Sequence, residues 1–170
     1  MVHVVSLVVL AAGMAIAVWS DLKAQRIPNL LSVSLLVSGL IVNMFEPGGL
    51  SRAIIGVLVG LAVGIFLWLL GVIKAGDAKL MAAIGAVVGW KWLFSTLCWA
   101  VLIGMGIGFV ILLKKRELFS RLKWVWDYGK TMLWTRKFSP YQSKEGTEGE
   151  LPFAVPLAIG CILTYYIPLI

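Results

Sequence analysis

"GVIKAGDAKLMAAIG", residues 71–85, decides how this chain folds. An apolar run over Ala53–Ile73 stops at Lys74-Ala75-Gly76-Asp77-Ala78-Lys79, and a second starts at Ala78 and continues to Leu113. The seam holds an aspartate between two lysines. In a soluble protein it would pass as a surface turn. Between runs long enough for membrane helices it marks a bilayer edge, where a carboxylate is costly unless something satisfies or uses it.

The rest of the chain supports the membrane setting. Of 170 residues, 61% are hydrophobic and 14% charged, against roughly 45–50% apolar and 25% charged in soluble domains. A globule this small has too much surface to hide that much apolar side chain. The length gives one domain, residues 1–170, as the default. Cys98 and Cys161 form no CxxC pair, and His3 is the sole histidine. The sequence thus offers neither a zinc or redox-dithiol motif nor a multi-histidine metal site. Residues 1–20 lack a basic segment ahead of their apolar run and are expected to stay as a first span.

Working outward from the seam, apolar runs cover Val2–Trp19, Leu30–Met44, Ala53–Ile73, two segments within Ala78–Leu113 and finally Leu151–Ile170. Gly89-Trp90-Lys91-Trp92 separates the two middle segments. The expected fold is therefore an all-α, polytopic membrane bundle of six transmembrane helices. Gly56, Gly60 and Gly64 recur every four residues, which lets one helix face approach another closely.

Basic residues set the orientation. Lys23 and Arg26 follow the first run, Lys74 and Lys79 flank the seam, and nine lysines and arginines fall in 114–150. With six spans all three clusters share a side, which the excess-positive rule makes cytoplasmic, with both termini outside. The net charge of +7 then suits anionic membrane lipid and needs no nucleic acid. Within the long loop, "LFSRLKWVWDYGKTMLW" (118–134) alternates apolar and basic residues and carries three tryptophans, as an interfacial helix would. The stretch 139–150 is turn-rich and aperiodic.

Six of the eight acidic residues fall in predicted loops, which leaves Asp21, at the end of the first run, and Asp77. The six-span topology puts both at one membrane face. Each has a structural explanation, since aspartate caps helix starts. The functional alternative is a facing pair. Two close carboxylates do not both ionise easily, so one carries a proton while the other acts as a base. Such a pair can polarise a peptide carbonyl, activate water and return a proton to the leaving amine.

Three stretches give this pattern a family likeness. "SDLKAQRIPN" (20–29), "KAGDAKLMAAIGAVVGW" (74–90) and "LPFAVPLAIG" (151–160) resemble, in order, motifs of the prepilin peptidases, membrane aspartic proteases of the GxGD type. The chain's size is similar to the short CpaA/TadV-like branch serving Flp-type pili. The resemblance implies Asp21 and Asp77 as the catalytic pair and Gly76 as a point of close backbone approach. It implies that Pro28 and Asn29 set the turn into the second helix, and that Lys23 and Lys79 flank the acids. Pro152 and Pro156 would shape the substrate-side entrance, or simply kink a helix start. Lys74 stands where the family has glycine: its ammonium either contacts the acids or snorkels outward. The implied substrate is a prepilin-like precursor with a short basic leader, a glycine at the cut and an apolar helix held in lipid, processed at the cytoplasmic face of the inner membrane. No cofactor is implied, and the absence of a glycine-rich nucleotide fingerprint points to cleavage without N-methylation. Two other classes compete: a small transporter or ion-conducting subunit, whose acids would sit near the bilayer midplane, and a catalytically weak pilus-assembly partner.

Overall fold

The computed structural model describes residues 2–70, 72–114 and 152–169. Among them the chain forms six α-helices: α1 (Val2–Ala24), α2 (Asn29–Met44), α3 (Gly49–Leu69), α4 (Ala75–Val88), α5 (Trp90–Lys114) and α6 (Ala154–Tyr166). The interfacial helix expected at 118–134 and the stretch 139–150 lie outside the described residues. The chain divides into two compact units, Met1–Ile103 with Pro152–Ile170, and Gly104–Leu151. The described part of the second unit is the C-terminal portion of α5.

The all-α class holds, but the expectation of six transmembrane helices does not. Three helices are long and apolar enough to cross a membrane: Val4–Ala24, Gly49–Leu69 and Trp90–Ile111. The other three, α2, α4 and α6, have 16, 14 and 13 residues. At about 1.5 Å per residue they reach only ~20–24 Å, short of a hydrocarbon layer ~30 Å thick. The miscount has a physical cause. Hydropathy does not separate a helix solvated by lipid from one solvated by protein, and α4 is the second kind. From Asp77 to Val87 every residue except Lys79 is buried, whereas α1, α3 and α5 expose large apolar side chains such as Val8, Leu58 and Leu102.

Close backbone approach buries α4. A Cβ on Gly56 would collide with the carbonyl oxygen of Gly85, and one on Gly60 would lie 2.6 Å from that of Met81. The four-residue glycine spacing of α3 is therefore its contact with α4, the two helices running antiparallel. On another side, a Cβ at Gly39 of α2 would stand 2.8 Å from the Val87 nitrogen. Leu80, Met81 and Ile84 project from α4 into a core shared with Leu93 and Leu157.

Both ends of α4 are closed by polar groups. At the C-terminus the buried Asn43 amide donates to the carbonyls of Ala86 and Val87, both at 3.0 Å, and to Gly39 O at 2.9 Å. These satisfy acceptors that a helix end leaves open. Gly89, at φ 82°, then turns the chain into α5. α5 packs against α6, where the hydroxyls of Thr96 and Thr164 lie 3.3 Å apart, a Cβ on Gly160 would lie 2.7 Å from Thr96 O, and Trp99 Nε1 donates to Ile167 O at 3.2 Å.

Two predictions test this account. Gly60→Leu is expected to destabilise the bundle by about 1–3 kcal/mol or more through overpacking. Gly106→Ala, where a Cβ would meet nothing within 4 Å, should be neutral or slightly stabilising. Equal thermal unfolding of the two variants in detergent would refute the close α3–α4 contact. Asn43→Leu should lose about 1–3 kcal/mol by stranding buried carbonyls; an unchanged unfolding midpoint would show that the cap contributes nothing.

Candidate active site

The end of the bundle opposite Asn43 gathers the C-terminus of α1 and the N-termini of α2, α4 and α6. The α1–α2 connection is tightly held. After α1, Gln25 takes a left-handed conformation (φ 49°) and its N–H donates to Asp21 O at 2.8 Å. Ser20 Oγ donates to Arg26 O at 2.8 Å, folding the connection back on the helix. Pro28 then sits at the N-cap of α2 with extended backbone, and Asn29 is the first helical residue. Both residues thus stand where the chain enters α2.

Asp21 lies on the last turn of α1 and Asp77 on the first turn of α4, and both are buried, each 4% exposed. Each carboxylate accepts one backbone N–H at Oδ2. Asp21 receives it from Ala154, the first residue of α6, at 3.1 Å. Asp77 receives it from Lys74, at the N-cap of its own helix, at 2.9 Å. Asp77 thus does the acid's part of a capping box, so the structural explanation for this residue is correct as far as it goes. Capping does not set its protonation. Burial pushes the Asp77 carboxyl up to about 6; the Lys74 N–H opposes this, the charge of Asp21 raises it further, and the Lys74 ammonium lowers it. The charge of Asp21 is thus felt at Asp77.

The flanking residues tie this end together. Lys74 Nζ donates to Gln25 O at 3.1 Å, so this lysine reaches outward to the α1–α2 connection and pins it to the start of α4. Lys79, the one exposed residue between Asp77 and Val87, donates to Asn29 Oδ1 at 2.9 Å and links α4 to α2. Lys23 is exposed on the last turn of α1. A Cβ on Gly76 would make ordinary contact with Ile27, the nearest atom lying at 3.5 Å, so the chain's own packing does not demand glycine there. Pro152 accepts the Val155 N–H at 3.2 Å, and Pro156 is fully buried in the first turn of α6, where a missing N–H is harmless. Both prolines shape the turn that presents the Ala154 N–H to Asp21.

That backbone donor is the group side-chain reasoning missed. The proline bracket around it was the available signal. Gln25, whose carbonyl anchors Lys74, gave no sequence signal at all. Among the described residues, no group of three or more His, Cys, Asp or Glu side chains converges as a metal site would require.

Comparison with known proteins places this chain in a family. The Type IV leader peptidase family matches residues 8–109, which takes in the first two motifs and both aspartates; the third motif lies beyond it. The prepilin leader peptidase/N-methyltransferases of Burkholderia pseudomallei strains 1026b and K96243 are each 33% identical over 108 residues, covering 59% of this chain and 35% of theirs. The chain thus spans about a third of the length of the curated relatives it matches. No solved structure matches it. With more than half of its length matched by the family's pattern, this membrane-embedded helical chain belongs to the Type IV leader peptidase family.

Proposed function

We propose that this chain is an aspartic endopeptidase that removes the basic leader of a type IV, Flp-like prepilin, cutting after glycine at the cytoplasmic membrane face. The observation that carries the proposal is that two buried carboxylates, Asp21 and Asp77, share the end of the bundle where helix termini meet, with the charge of Asp21 felt at Asp77. Acids at helix ends, rather than midway along the long spans, favour a one-sided site over a transport path. The lysines at that end, Lys23, Lys74 and Lys79, favour its facing the cytoplasm.

In this reading the pair shares one proton. The ionised carboxylate takes a proton from water as it attacks the scissile carbonyl, while the protonated one donates a hydrogen bond to the carbonyl oxygen. Asp77, pushed up to about 6, is the natural holder of that proton. Collapse of the tetrahedral intermediate breaks the C–N bond, and the amine leaves with a proton from the pair. Room beside Gly76 suits an extended backbone lying across the start of α4. The substrate's apolar helix stays in lipid throughout.

Cleavage of a candidate prepilin in membranes tests this directly. Asp21→Asn and Asp77→Asn should each reduce kcat/KM by about a thousandfold or more while the protein still inserts. Full activity in either variant would sink the two-acid mechanism and leave the assembly-partner reading.

The raised Asp77 value adds a pH signature. Loss of the shared proton should lower kcat/KM above about pH 6, approaching tenfold per unit. Stability follows the same sign. A folded value above the unfolded 3.8 means the stabilisation is fully present below 3.8 and lost as pH rises through about 6. The ionised form then weakens the fold by up to about 3 kcal/mol. Asp77→Asn keeps an acceptor for the Lys74 N–H without the charge, so at pH 8 it should unfold at higher temperature than wild type. Identical pH dependence of unfolding in the two proteins would show that Asp77 is not held near its proton.

A further inference from the structure

The α1–α2 connection passes beside the start of α4, next to Asp77. A Cβ on Gly76 would have Ile27 as its neighbour, with Ile27 Cβ at 3.5 Å, its carbonyl oxygen at 3.7 Å and its nitrogen at 3.8 Å. The other carbonyls of the connection are taken. Gln25 O accepts from Lys74 Nζ, Arg26 O from Ser20 Oγ, and Pro28 O from the N–H groups of Leu31 and Ser32. Among the described residues, neither the N–H nor the carbonyl of Ile27 has a partner. The following proline holds Ile27 in extended conformation, and its side chain packs against the core. Ile27 and Gly76 are both partly exposed, whereas Asp77 is buried. A fixed, extended residue with an open main-chain edge thus stands at the entrance to the aspartates.

We propose that Ile27 binds the substrate by main-chain pairing. An extended residue on the leader side of the cut donates its N–H to Ile27 O and accepts the Ile27 N–H at its own carbonyl. This deepens the peptidase proposal and rests on it. Chemistry selects the occupant. An unpaired N–H and C=O on one extended residue match the two groups that another extended residue presents. A helical segment has both groups bonded within itself, so the edge selects the unwound stretch ahead of the apolar helix. A phosphate offers acceptors alone and would leave the Ile27 carbonyl unmatched. From Ile27 the peptide passes over Gly76, where the missing side chain leaves room to approach Asp77. The bonds from Lys74 and Ser20 to the neighbouring carbonyls hold the edge in place beforehand, which reduces the ordering cost of binding.

The probe is a fluorescein-labelled synthetic peptide with a lysine-rich leader, a glycine and an apolar segment. Its binding to the detergent-solubilised full chain carrying Asp77→Asn is read by anisotropy, apart from cleavage. Backbone amides of the leader are replaced one at a time by esters, which removes a single N–H. One position should bind about three- to tenfold more weakly, with both neighbours unchanged because successive residues face opposite ways. Ile27→Pro removes the N–H at an extended position and should weaken the parent peptide by about the same factor; Ile27→Val should bind it normally. Gly76→Ala, whose Cβ the chain's own packing accepts, should keep its unfolding midpoint yet bind about tenfold more weakly. A uniform ester scan would overturn the proposal, as would normal binding by Ile27→Pro. Should Ile27→Pro lose helical circular dichroism, the ester scan decides alone. Cleavage that survives Asp21→Asn would instead remove the two-acid mechanism, while the ester scan still decides whether Ile27 holds the peptide.

Discussion

The backbone-to-backbone contact between α3 and α4 is the constraint on which the rest of the structure depends. α4 is too short to cross a bilayer, and it begins with a carboxylate. Such a segment is stable only if other helices solvate it. Gly56 and Gly60 bring the α3 backbone against the carbonyls of Gly85 and Met81, where a side chain would not fit. Gly39 and the Asn43 amide do the same from α2. Without a driving force from water between lipid-solvated helices, van der Waals contact and interhelical hydrogen bonds are what hold such a bundle together. α4 receives both along its length. Its fixed depth then fixes the depth of Asp77.

The aspartate end is organised around that fixed point by main-chain groups more than by side chains. Asp77 is oriented by the N–H of Lys74, and Asp21 by the N–H of Ala154. Segments far apart in sequence converge there: the starts of α4 and α6 present unpaired donors, and the last turn of α1 brings Asp21 to accept one of them. The lysines stitch the remainder: Lys74 to the Gln25 carbonyl and Lys79 to Asn29. Their charges also favour ionised carboxylates nearby, yet for Asp77 the ammonium of Lys74 is the weakest influence and burial the strongest. The Asp77 carboxyl is raised to about 6 because desolvation outweighs the neighbouring cation.

Much of this was legible in the sequence, for identifiable reasons. The break at Gly89, the seam at Lys74–Lys79 and the glycine spacing of α3 are local signals, and each marks a real feature. The number of membrane-crossing helices was not legible. Ala78–Val88 is as apolar as a lipid-facing run, but its apolarity answers to neighbouring helices. Length was the better clue: α4 has 14 residues and α6 has 13. The donor to Asp21 was hidden for another reason. A backbone N–H has no letter in the sequence, and only the prolines around Ala154 hinted that the turn mattered.

In the proposed mechanism, the capping and catalytic roles of Asp77 would need each other. An acid at the third position of a helix would ordinarily be exposed and ionised, stabilising the N-terminus by charge. α4 differs because its first turn is already inside the bundle. There the cap bond at Oδ2 holds the side chain in one rotamer, while burial keeps its proton within reach of neutral pH. The cap supplies orientation and the close α3–α4 packing supplies desolvation; either alone would give an ordinary aspartate. Lys74 fits the same logic. Glycine at the N-cap would leave the Gln25 carbonyl without its ammonium and the α1–α2 connection less firmly tied to α4. At this position a long side chain reaches past the acids to the connection that follows Asp21.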